Sequence, residues 1–131
     1  MFNHPVSDLV AIIRNGYMAK RDSVKTTVSK IRENILKILK EEGYILGYSK
    51  TVSEDKKEYF NIHLKYSSNQ PVINEIKVIS KPGKRVYCSF NDIPLVKNGL
   101  GMVVISTSKG IIADHQARVQ KLGGEVLLTI F

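Results

Sequence analysis

One cysteine in 131 residues, Cys88, leaves no intrachain disulfide framework to hold the fold. A reducing compartment is the expected setting. With only three scattered histidines, the same scarcity excludes zinc-ribbon and zinc-finger patterns. No apolar run is long enough to span a bilayer. The opening MFNHPVSDL lacks a basic segment followed by a continuous apolar one, so no secretory signal is expected. The first ten residues carry no arginine, which gives no hint of a transit peptide. Nucleotide-binding loops are missing too, both Gly-x-Gly-x-x-Gly and Walker A. Acidic residues are in short supply, 12 against 20 Lys plus Arg.

What is present describes a folded, basic chain. Hydrophobic residues make up 43% and charged residues 24%, a globular composition. The length fits one domain or two small subdomains. The net charge of +8 favours a polyanionic partner such as nucleic acid, with an acidic membrane surface as the competing reading.

Periodicity places the elements. Val6, Leu9, Val10, Ile13 and Tyr17 recur at helix spacing behind Pro5, with Asn3 or Ser7 as cap and Gly16 marking fraying or the end. A short strand is expected over 24–28. Ser29 caps a second helix whose stripe is Ile31, Ile35, Ile38 and Leu39, ending at Gly43. Strands follow at 44–50 and 60–66, the latter alternating strictly. The polar run 67–71 marks a boundary between subdomains 1–66 and 67–131. Beyond it, strands are expected at 72–79, 84–90, 102–105 and 125–131, and a helix over 114–122 capped by Gly123. Ser80-Lys81-Pro82-Gly83 reads as a type II turn and 106–110 as a polar turn. The fold class is α/β (α+β), with N-terminal helices packed on a short sheet and a mainly β C-terminal subdomain with short helices.

Two clusters draw attention as chemistry. Ser106-Thr107-Ser108-Lys109-Gly110 offers three hydroxyls, a cation and a backbone that a ligand can approach closely; a plain surface turn is the alternative. Lys81, Lys84 and Arg85 crowd a turn that can grip phosphate, with Tyr87 as a stacking ring or simply half-buried. Residues 77–124 hold eight basic residues, Arg118 among them, against Asp92 and Asp114. Lys20, Arg21, Lys25 and Lys30 form a second basic area. Lys30 sits in a helical first turn, where the dipole slightly disfavours a cation unless phosphate lies there. Glu125 is a salt-bridge partner, an acceptor for RNA amino and hydroxyl groups, or a residue that positions the serine loop. His4, His63 and His115 read as capping, sheet-surface and helix-surface residues. Cys88 reads as a small strand residue. Ser106-x-x-Lys109 matches the pattern of serine acyl enzymes, but so does Ser53-x-x-Lys56, and neither K-T-G nor S-D-N occurs. No enzyme, metal, cofactor or small-molecule substrate is expected.

The chain resembles the ribosomal protein S8 family in its bacterial or organellar form. The likeness runs through Pro5-Val6-Ser7-Asp8-Leu9, Ile13-Arg14-Asn15-Gly16, Glu41-Glu42-Gly43-Tyr44-Ile45 and the stretch from Ile79 to Tyr87. Most specific are Gly99-Leu100-Gly101, the 106–110 loop and Gly123-Gly124-Glu125-Val126-Leu127. The resemblance implies two subdomains and direct binding to the central domain of small-subunit ribosomal RNA, at an irregular helix with an internal loop. Ser106, Thr107, Ser108, Tyr87 and Glu125 match the family's contacting residues. Lys30 and its surroundings would meet a neighbouring stretch of the same RNA. Neighbouring small-subunit proteins are further implied partners, in the cytoplasm or an organelle matrix. An alternative role is repression of the chain's own operon messenger through a similar hairpin.

Overall fold

The computed structural model describes residues 5–131. The chain forms two compact units, one from Asp8 to Ile73 and one from Asn74 to Phe131 together with described residues 5–7. Asn3 and His4 lie outside the described residues.

In the first unit a three-stranded antiparallel sheet has the order β1 (Ser23–Thr27), β3 (Glu58–Leu64), β2 (Ile45–Val52). Helix α1 (Pro5–Met18) does not end at Gly16, as expected, but runs through it. A Cβ at Gly16 would fall 2.4 Å from Val24 Cγ1 and 3.1 Å from Leu64 Cδ1, so the glycine marks a close helix–sheet approach. The helix stops where Lys20 turns left-handed, φ 55°, and Arg21 N donates to Gly16 O at 2.9 Å. Ser7 lies within the helix and not at its cap.

Helix α2 (Lys30–Glu41) matches its sequence signature. Ser29 Oγ accepts from Arg32 N at 3.2 Å, and Gly43 exits at φ 80°. Ile35, Leu36, Ile38 and Leu39 are buried. Each such side chain stabilises the unit by about 1.5–3 kcal/mol. The 66–71 stretch is a ribbon of β4 (Tyr66–Ser67) and β5 (Gln70–Pro71). Ser68 and Asn69 are both left-handed there, as a tight hairpin requires. This ribbon, where the sequence divides the halves, sits with the first unit.

The second unit is built on β10 (Gly124–Ile130). One edge of β10 pairs with β8 (Met102–Thr107), which pairs in turn with β9 (Gly110–Ala113). Its other edge takes β6 (Ile76–Val78) and β7 (Tyr87–Cys88), one after the other. The expected strands 72–79 and 84–90 thus shrink to these cores, with a short 3-10 helix starting at Phe90. Strand β9 was not expected, because Ile111, Ile112 and Ala113 form too short an apolar run between a turn and a helix. Helix α3 (Asp114–Gln120) packs on β8 and β9. It ends with Lys121 left-handed at φ 57°, not at Gly123. Ile93, Val103, Ile105, Ala117 and Val126 form one buried core cluster of this unit.

Gly123 and Gly124 instead solve a space problem. A Cβ at Gly123 would meet Cys88 O at 2.5 Å, and one at Gly124 would meet Ser106 O at 2.1 Å. Ser29→Ala should cost about 1 kcal/mol in urea unfolding through loss of the cap. Gly124→Ala should cost about 1–3 kcal/mol, because its methyl meets backbone and not a flexible side-chain tip.

Candidate nucleic-acid interface

Strand alternation sorts the C-terminal residues by face. In β10, Val126 lies opposite Ile105 and turns into the core, so Glu125 lies on the other face. Glu125 pairs with Ser106 on β8 and with Tyr87 on β7. Directly paired residues share a face, so Tyr87, Glu125 and Ser106 stand in one row across three strands. Ile111 of β9 extends the row beyond Ser106. Tyr87 is 68% exposed, a large ring offered to solvent.

The Glu125 side chain is only 18% exposed, and its Oε2 carries two contacts. Arg85 Nη1 donates to it at 3.1 Å, and the Ser80 hydroxyl donates to it as well. Ser80 is 1% exposed and accepts from Val86 N at 3.3 Å. The carboxylate is thus compensated inside the protein by a guanidinium, which softens its repulsion of nearby phosphate. Glu125 is a salt-bridge residue, as one reading of the sequence has it, and it stands beside the serine loop. Ser80 escaped the sequence reading, because a serine opening a polar turn carries no sign that its side chain is buried.

The serine loop is a tight hairpin between β8 and β9, so Ser106 and Thr107 belong to a strand and not to the turn. Ser108 and Lys109 form the exposed tip, and Gly110 supplies φ 114°. The three hydroxyls are not equivalent. Thr107 Oγ1 donates to Gly110 O at 2.7 Å and accepts from Lys109 N at 3.2 Å. Its single proton shapes the loop, while Ser106 lies in the row and Ser108 at the tip.

Lys81 and Lys84 face each other across the Pro82-Gly83 turn, closed by Lys81 N to Lys84 O at 3.0 Å and the reverse bond at 2.9 Å. Gly83 is not left-handed, so this is not the expected type II turn. Lys81, Lys84, Arg85 and Lys109 are exposed. Among the described residues neither Lys81, Lys84 nor Lys109 has an ion-pair partner. Other members of the basic set are occupied. Arg118 binds Asp114 Oδ2 at 2.8 Å and Pro94 O at 2.8 Å, and Lys77 pairs with Glu75 at 3.2 Å. Lys30 is exposed at the start of α2, in the other compact unit.

Burial pushes the Cys88 thiol above its ordinary range, the opposite of the lowering that activates a thiol. Among the described residues no three His, Cys, Asp or Glu gather as metal ligands. No described helix is long and apolar enough to cross a membrane.

Comparison with known proteins gives a family. The profile described as Ribosomal protein S8 matches residues 4–131. A small ribosomal subunit protein uS8 from Nitrobacter hamburgensis is 50% identical over 127 residues, covering 97% of this chain and 96% of its own. The protein of the same name from Rhodopseudomonas palustris (strain BisB18) is 50% identical with the same coverage. That from Azorhizobium caulinodans is 48% identical over 129 residues, covering 98% of each. With the whole row of Tyr87, Glu125 and Ser106 inside the matched span, the chain belongs to the ribosomal protein S8 (uS8) family of bacterial type, whose members are structural, RNA-binding constituents of the ribosome and not enzymes.

Proposed function

We propose that this chain binds the central domain of small-subunit ribosomal RNA at an irregular helix with an internal loop, and so supports small-subunit assembly beside neighbouring small-subunit proteins. The observation that carries the reading is the register that sets Tyr87, Glu125 and Ser106 side by side, with Arg85 reaching the same carboxylate. Regular A-form RNA keeps its bases in a deep, narrow groove that side chains do not read. A ring, an acceptor and a hydroxyl in one row, with a second hydroxyl at the adjoining tip, suit bases that have left the stack. Tyr87 offers the stacking surface, Glu125 accepts from amino or hydroxyl groups, and Ser106 and Ser108 bond to base edges and sugars. Thr107 and Gly110 hold the loop in shape. Lys81, Lys84, Arg85 and Lys109 face the phosphates and supply sequence-independent affinity. Lys30, at a helix N-terminus, is assigned to a neighbouring stretch of the same RNA.

The site recognises a local RNA shape, whichever molecule carries it. A hairpin of the same shape in the chain's own operon messenger would engage the same residues, which is the repressor role. Footprinting on small-subunit RNA tests the main reading: protection at an internal loop of the central domain supports it, and protection spread evenly along helices overturns it.

Ser108→Ala should weaken binding to the internal-loop helix about tenfold, the worth of a well-made hydrogen bond. Unrelated duplex should lose less than about twofold by filter binding, and equal losses on both would remove the selectivity role. Lys84→Ala should flatten the slope of log affinity against log salt by about 0.7–0.9, and an unchanged slope would take Lys84 off the phosphate contacts.

A further inference from the structure

The most buried polar side chain near the row is one that no ligand can touch. Ser80 is 1% exposed, immediately before the Lys81–Lys84 turn. A hydroxyl has one proton to give and two lone pairs to accept with. Val86 N donates to Oγ at 3.3 Å, so the proton is left for Glu125 Oε2. The serine's backbone surroundings are fixed as well. Ile79 N donates to Leu127 O at 3.0 Å on one side, and Val126 N donates to Val86 O at 2.9 Å on the other. The donor is therefore held by β10, the strand that carries its acceptor.

Arg85 meets the same oxygen at 3.1 Å, but it is half-exposed and long, with much rotamer freedom to lose. Ser80 is short, dry and already ordered, so its bond is directional and free of competition from water. Both contacts fall on Oε2, and Oε1 takes neither. That division is what a recognition carboxylate needs, with one oxygen tied to the scaffold and the other left without a contact from Ser80 or Arg85.

We propose that Ser80 is a positioning residue of the RNA site, which fixes the Glu125 carboxylate so that Oε1 accepts from an amino or hydroxyl donor of an unpaired nucleotide. The proposal rests on the RNA-binding reading above and adds to it the residue that presets its acceptor. Ser80 acts on RNA only through Glu125, so its effect vanishes when Glu125 is already disabled.

Two measurements on the full chain test this. The first is a double-mutant cycle of Ser80→Ala and Glu125→Gln, read by filter binding. The probes are a transcript of the internal-loop helix from the small-subunit central domain and a regular duplex of equal length. Ser80→Ala should lose about tenfold on the internal-loop transcript and less than about twofold on the duplex. In the Glu125→Gln background it should add less than about twofold. Multiplicative losses, equal losses on both probes, or no loss from Ser80→Ala would each overturn the proposal. Should Ser80→Ala fail to fold by circular dichroism, Ser80→Cys, similar in size with a weaker donor, carries the same cycle.

The second measurement needs no RNA. In the free protein with 13C-labelled glutamate, the Glu125 carboxyl resonance should move on Ser80→Ala and stay in place on Lys84→Ala. A resonance indifferent to Ser80 overturns the positioning role even if RNA binding stands. A resonance that moves, with a wild type that fails to prefer the internal-loop transcript, instead locates the failure in the RNA-binding reading.

Discussion

Strand β10 is paired along both edges, and everything of interest in the C-terminal unit depends on that pairing. Tyr87 and Ser106 share no ladder with each other; each is placed by Glu125 between them. The pairing is close because Gly124 has no side chain where Ser106 O approaches. Period-two alternation then does two jobs from one strand. Val126 closes the core against Ile105, while its neighbour Glu125 faces the other way. A slip of one residue would exchange those roles and bury a carboxylate.

The surplus of positive charge becomes more selective once partners are assigned. Arg118 ties α3 to the carbonyls of Ile93 and Pro94, and Lys97 lies 5.5 Å from the centre of the Phe131 ring. These cations hold the fold. Arg85 is shared between an internal carboxylate and the surface. Lys81, Lys84 and Lys109 remain at hairpin tips, where a flexible chain can follow a phosphate backbone. A count of Lys and Arg therefore overstates the unpaired charge of the C-terminal half, and Lys81, Lys84 and Lys109 at the tips are among the cations that remain.

Much of the fold was legible because local signals agreed with tertiary ones. Ser29, the apolar stripe of α2 and Gly43 define one helix from cap to exit, and the alternation through Phe60, Ile62 and Leu64 defines β3. Misreadings came where tertiary packing decides a residue type that local rules also explain. Gly16 and Gly123 look like helix ends but answer to close approach by Val24 and Cys88. Strand β9 was hidden because its length falls below any periodicity. At the site, the polar residue types were visible as a cluster and a lone glutamate. Their adjacency was not, since register between distant strands leaves no local trace. Ser80 was silent for the same reason: burial of one hydroxyl is a property of the assembled sheet.

The order of the strands has a consequence for the timing of folding. The segments bearing Tyr87 and Ser106 are synthesised before residues 124–130, yet β10 belongs between them. Until that late segment inserts, the tyrosine-bearing and serine-bearing strands lack their common neighbour, and the aromatic ring, the acidic acceptor and the hydroxyls have no fixed spacing. A growing chain can therefore expose its lysine tips early and attract polyanions loosely. The spacing on which the proposed reading of RNA shape rests is set only when the final insertion is complete.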